Sequence, residues 1–165
     1  MNIADRIDAF ARLTGMTVRW LALGMLLLQF TIVVSRYAFG VNSIALQELV
    51  LYLHASFFML GAAYTLSIDG HVRVDIFYAS LSERRRHLVD IFGHLFFLIP
   101  SMSAILFWSW PSVRNAWAIR EGAISVGGLP ASFLLKTLIP AFCILILVQS
   151  ASCLLRLVLS LKENG

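Results

Sequence analysis

Within the long apolar runs of this chain the side chains able to carry charge near neutral pH are two histidines, His54 and His94, with Asp90 just ahead of the third run. Ionisable groups in hydrocarbon are costly, so they are the first place to look for chemistry. Two histidines from neighbouring helices can ligate one haem iron, one from each side. Depth argues against that here. At 1.5 Å per residue, His54 stands about 9 Å in from one end of its run and His94 about 5 Å in from the opposite end. Across a core of about 30 Å that leaves them roughly 16 Å apart in height, whereas the ligands of one haem share a level. The favoured reading is two neutral histidines hydrogen-bonded between helices. The other polar groups in the runs, such as Gln29, Ser101, Gln149 and Ser152, carry no charge. A carrier working alone is expected to hold a carboxylate near the midplane, and these runs contain none.

The charges collect at the rims. Arg36 closes the first run and Glu48 opens the second, joined through Gly40 and Asn42. In an antiparallel hairpin the two lie near one interface. They either pair or stand as separate solvated anchors, and an exposed pair contributes about 0–1 kcal/mol. Farther on, Asp69-Gly70-His71-Val72-Arg73-Val74-Asp75 crowds titratable groups around a glycine turn, and Arg84, Arg85 and Arg86 follow as candidates for anionic head groups. Cys143 and Cys153 lie ten positions apart, about 15 Å on one helix, too far for a disulfide. They read as small packing residues. No cluster has the spacing of metal ligands or of a nucleophile with its base, so the chain reads as a non-enzyme.

The elements that must position these groups follow from composition. Apolar residues make up 59% of the 165 and charged residues 13%, with a mean hydropathy of +0.83. Soluble domains carry about 25% charge, and a chain of this size has too much surface to hide so much apolar area from water. A bilayer is the fitting solvent. About 20 apolar residues cross it as a helix; the runs are Trp20–Ser35, Leu49–Ile68, Ile91–Val113 and Thr137–Leu155. Arg19 and Arg36 bound the short first run and can snorkel to the interfaces. The expected fold is an all-α polytopic membrane protein: one domain over residues 1–165, with spans at about 19–38, 48–68, 88–112 and 134–157. The first run reads as a retained helix, since Asp5 and Asp8 precede it and Ser35-Arg36-Tyr37 is a poor cleavage site.

Two stretches have the pattern of short interfacial amphipathic helices. One is residues 1–18, through Ile3, Ile7 and Phe10; the other runs through Val74, Phe77, Tyr78 and Leu81. Ser82 is the predicted N-cap of the third span, with Glu83 suiting the helix dipole. Pro100 and Pro140 predict bends. Small residues, among them Gly61, Ala62, Ala63, Cys143, Ser150 and Ser152, suit close helix packing, whereas Leu26–Leu28 and Phe96–Leu98 suit lipid. The net charge of +4 and pI near 9.5 do not indicate nucleic acid, because the basic residues flank the runs. Nine of the thirteen lie with the termini and second loop, four on the other side. The positive-inside rule then puts both termini in the cytoplasm.

Ser35-Arg36-Tyr37-Ala38-Phe39-Gly40, Gln47-Glu48-Leu49, Gly61-Ala62-Ala63 and Gly70-His71-Val72-Arg73-Val74-Asp75 occur in that order around the spans. Arg120-Glu121-Gly122, Gly128-Leu129-Pro130, Lys136 and Pro140 follow. Over roughly Trp20 to Leu155 this resembles the small membrane subunit (DctQ-like, the Q subunit) of tripartite ATP-independent periplasmic (TRAP) transporters. Where that family often has two consecutive glutamates, this chain has Gln47-Glu48. The resemblance implies a non-catalytic scaffold in the bacterial inner membrane, bracing a large multi-span subunit that imports a small organic anion with sodium. A periplasmic solute-binding protein delivers the anion. No cofactor is implied, and the one non-protein ligand admitted is a bound phospholipid. Arg36, Glu48, Arg120, Glu121 and Lys136 become expected periplasmic-face or partner-interface residues. His71, Arg73, Asp75, Arg84, Arg85 and Arg86 become cytoplasmic structural or lipid-contact residues. The rival readings are a small haem-binding membrane cytochrome subunit and a compact proton-coupled exporter.

Overall fold

The computed structural model of the chain describes residues 3–72, 78 and 80–163. Four long helices carry almost all of them: α1 (Ile3–Phe39), α2 (Ile44–Ser67), α3 (Glu83–Ala118) and α4 (Ser132–Glu163). There is no strand among the described residues, and each helix is long and apolar enough to cross a membrane. Without water to satisfy backbone groups, closed helical hydrogen bonding is the economical solution for such runs.

The first helix differs from the sequence reading, which separates residues 1–18 as an interfacial segment. Those residues from Ile3 onward are continuous with the first span, in one 37-residue helix about 55 Å long. The cause lies in its packing stripe. Ala4, Ala11, Val18 and Ile32 are buried and keep heptad spacing, which holds one face against its neighbours along the whole rod. Gly15 does not break the helix. It is a packing position, where a Cβ would run into the Tyr64 side chain. Of the second interfacial stretch, Val74 and Phe77 lie outside the described residues.

Helix α4 is the hub, packing against each of the other three, while α1 and α2 form an antiparallel hairpin. The interior is built from small side chains: Ala11 and Ala63 with Ile146, and Cys143, Ser150 and Ser152 fully covered. Large ones face outward, including Leu26, Leu27, Phe96, Phe97, Phe107 and Trp108, each more than half exposed. In water that arrangement would be inside out; in lipid it is how backbones come close. Leu98, expected on the lipid side, packs instead toward the core.

Three helix ends close with the same device. Val41 N–H reaches Ser35 O, Gly70 N–H reaches Thr65 O and Glu121 N–H reaches Ala116 O. The residue before each donor, Gly40, Asp69 or Arg120, sits at positive φ, the left-handed cap that frees a helix to turn back. Ser82 is the N-cap of α3 as predicted, although its hydroxyl makes no capping bond. Inside α3, His94–Leu98 form a π turn in which Ile99 N–H donates to His94 O. Pro100 follows, unable to donate and crowding the carbonyl four residues back; the wider turn relieves that crowding.

Candidate functional site: two polar clasps and an open helical face

At the end of the bundle that carries the α1–α2 turn, Ser43 caps α2, its hydroxyl accepting from Leu46 N–H at 3.4 Å. Glu48, one turn further on, is 7% exposed. Its Oε1 accepts from Ser125 N–H at 2.9 Å and its Oε2 from Leu129 N–H at 2.7 Å. One carboxylate thus gathers the connection between α3 and α4. Charge-assisted bonds to two backbone amides satisfy it in a place where a lone carboxylate would be expensive. Gly128 lies directly on that carboxylate, leaving no room for a Cβ. The loop is drawn together further by Ser132, whose hydroxyl donates to Gly122 O.

The pairing of Arg36 with Glu48, one of the two sequence alternatives, does not form. Arg36 donates instead to Asn42 Oδ1 at 3.0 Å, which also accepts from Gln47 Nε2 at 2.8 Å. Glu48 turns away because the loop amides offer it two partners under cover, whereas Arg36 is exposed. Nearby, Lys136 Nζ contacts Glu121 Oε2 at 2.6 Å, both about one-third exposed. Trp117 Nε1–H donates to Thr137 Oγ1 at 2.8 Å, tying α3 to α4 beside that pair. Arg120 is exposed. All five residues assigned to the outer face therefore share one end of the bundle. The loop between α3 and α4 is fastened there to α2 by Glu48 and to α4 by Glu121 with Lys136.

The opposite end holds a second clasp, absent from the sequence reading. Asp8 Oδ1 accepts from Gln149 Nε2 at 2.8 Å and from Ser152 Oγ at 2.8 Å. Its Oδ2 lies 2.6 Å from Arg156, which also reaches Asp5 at 2.9 Å. Gln149 and Ser152 are fully buried, so they need the acceptor that α1 brings. A signal for it exists in the chain: Gln149, Ser152 and Arg156 share a helical face at i, i+3 and i+7, and Asp5 with Asp8 share another.

Of the residues assigned to the second loop and the start of α3, Arg73 and Asp75 lie outside the described residues. His71, Arg84 and Arg85 are exposed. Arg86 is engaged within the fold, donating from Nε to Leu81 O at 3.0 Å and standing 5.6 Å from the Tyr78 ring. Tyr78 in turn donates to Asp90 at 2.7 Å. Among the described residues no group of three or more His, Cys, Asp or Glu could hold a metal ion. The two cysteines are free thiols.

The histidines part company. His94 Nδ1 meets Ser150 Oγ of α4 at 2.7 Å, the interhelical bond expected of it. His54 is exposed and its ring packs on Phe58, centroids 4.6 Å apart. It looks out from the bundle, so the two rings do not converge on a shared ligand.

The chain matches the family profile described as "Tripartite ATP-independent periplasmic transporters, DctQ component" over residues 25–160. No curated protein matches it. The match takes in the later part of α1, all of α2, the loop held by Glu48 and nearly all of α4, including Gln149, Ser152 and Arg156, and begins beyond Asp8 itself. With four membrane-length helices and small residues at their contacts, the chain belongs to the DctQ family, the small component of a TRAP transporter.

Proposed function

We propose that this subunit is a static, non-catalytic brace in the bacterial inner membrane. It supports a large multi-span subunit that imports a carboxylate-type organic anion together with sodium, delivered by a periplasmic binding protein. Both termini lie in the cytoplasm, which places the Glu48 end in the periplasm; the nine-to-four division of basic residues supports this orientation. The observation that carries the reading is where the carboxylates are spent. Glu48 holds α2 to the loop between α3 and α4 and Asp8 holds α1 to α4, and the apolar runs of α2, α3 and α4 contain no carboxylate. Coupling ions in secondary transporters are coordinated at the midplane by freed carbonyls and polar side chains of broken helices. Here the helices are continuous, and their charged groups serve to fasten. The role needs no cofactor, and the exposed Arg84 and Arg85 suit lipid head groups.

Reconstitution tests this directly. Liposomes holding the small subunit alone should accumulate no organic anion under an inward sodium gradient. Adding the large subunit and binding protein should give sodium-dependent uptake that is lost when the small subunit is left out. Sodium-driven uptake by the small subunit alone would overturn the reading.

A further inference from the structure

The outward face of the α1–α2 hairpin carries polar groups that the bundle does not use. Two close approaches fix the register of the hairpin: Gly15 against Tyr64, and Gly24 facing Leu53, whose side chain a Cβ at Gly24 would just touch. Arg19 falls between them and lines a groove of about 430 Å³ with Phe57, Phe58 and Gly61. Phe58 is at the middle of the run Leu49–Ile68. The Arg19 backbone therefore stands level with the middle of α2, deeper than the hydropathy pattern implies, while the groove its side chain lines continues to His71 just past the end of that run. Its guanidinium lies 5.7 Å from the ring of Trp20 and it is exposed. One turn from Phe58 along the same face of α2 is His54, also exposed. Near them Gly61 opens onto empty space, with no atom within 4 Å of a Cβ built there.

A cation and an imidazole facing lipid at this depth cost free energy that a polar partner removes. A glycine opening outward beside them lets another helix backbone approach closely. The geometry points to this face as the seat of a transmembrane helix from a different polypeptide, one that sets a carboxylate opposite Arg19 and a hydrogen-bonding group opposite His54. A second copy of this chain does not fit. From Ala9 to Phe39, and in Leu49–Ile68, Ile91–Val113 and Thr137–Leu155, it has no carboxylate to offer. This inference rests on the TRAP reading for the partner's identity, the large membrane subunit, but the face and its chemistry come from the hairpin itself.

A photo-cross-linking amino acid placed at Phe58, and separately at Phe96 on the exposed side of α3, tests it in membranes where small and large subunits are co-expressed. Irradiation at Phe58 should yield a covalent adduct of the two subunits, and irradiation at Phe96 should not. Adducts with the large subunit from Phe96 alone overturn the inference. So does a Phe58 adduct that contains only lipid or a second small subunit. These outcomes leave the transporter assignment standing, whereas failure of the two wild-type subunits to co-purify would sink that assignment itself. For the charge, Arg19→Gln should lower recovery of the large subunit at least fivefold while the small subunit stays monodisperse, and Arg19→Lys should retain most of it. Undiminished recovery with Arg19→Gln would show that no carboxylate waits opposite.

Discussion

The two ends of the bundle are fastened by the same functional group used in different ways. At the α1–α2 turn, Glu48 accepts from backbone amides of a loop. At the end carrying the termini, Asp8 accepts from the side chains of Gln149 and Ser152 and pairs with Arg156. Every non-proline residue has an N–H to give, so the first clasp tolerates changes in the loop residues but depends on one carboxylate and on the space at Gly128. The second is specified residue by residue, and its members share the burden. Concentrating a joint in one side chain makes it tolerant of its partners and vulnerable at its centre.

Replacing Glu48 is expected to have the largest effect. Glu48→Ala leaves two loop amides without their acceptor and should cost about 2–4 kcal/mol, read as a lower thermal midpoint in detergent and faster protease cleavage between residues 122 and 129. Glu48→Gln keeps one accepting oxygen and should fall about midway. Ser125→Ala, which removes a side chain but not the amide, should stay within about 0.5 kcal/mol of the wild type. If the Glu48→Gln variant proved as stable as the wild type, the carboxylate would not be serving both amides.

At the other end, Asp8→Ala orphans the buried Gln149 amide donor and leaves Ser152 only its longer bond to Ala4 O at 3.2 Å, and should cost about 1–3 kcal/mol. Arg156→Ala removes a half-exposed partner while Asp8 keeps its two neutral donors, so a loss of only about 0.5–1 kcal/mol is expected. Equal losses from the two would mean that the ion pair, not the buried donors, dominates this clasp. The smallest effect belongs to Lys136→Met. It breaks a partly exposed pair worth about 0.5 kcal/mol, and high salt should erase the difference in thermal midpoint between that variant and the wild type.

The contrast also explains what can be read in advance. Four spans are legible because hydrocarbon imposes length and helicity on any run that crosses it. Ser82 as a cap and the His94 interhelical bond follow from local chemistry. The role of Glu48 does not, because its partners are amides 77 and 81 positions away, and an amide leaves no mark in a sequence. Asp8 reads as the polar side of a surface helix because periodicity separates polar from apolar but cannot tell water from a polar stripe on another helix. Arg19 reads as a boundary because hydropathy is cut at charges, whereas depth in a bundle is set by which side chains interlock, here Gly15 with Tyr64.

The wide turn at His94–Leu98 has a consequence for rotational phase. At about 100° per residue, an unbroken α-helix from His94 to Val113 would accumulate about 1,900° and leave the two a quarter-turn out of alignment. Absorbing one residue reduces this to about 1,800°, five whole revolutions. His94, bonded to Ser150, and Val113, buried near the far end, thereby come round to the same side of the rod. A single irregularity beside Pro100 accompanies contact with one neighbour, α4, along the length of α3.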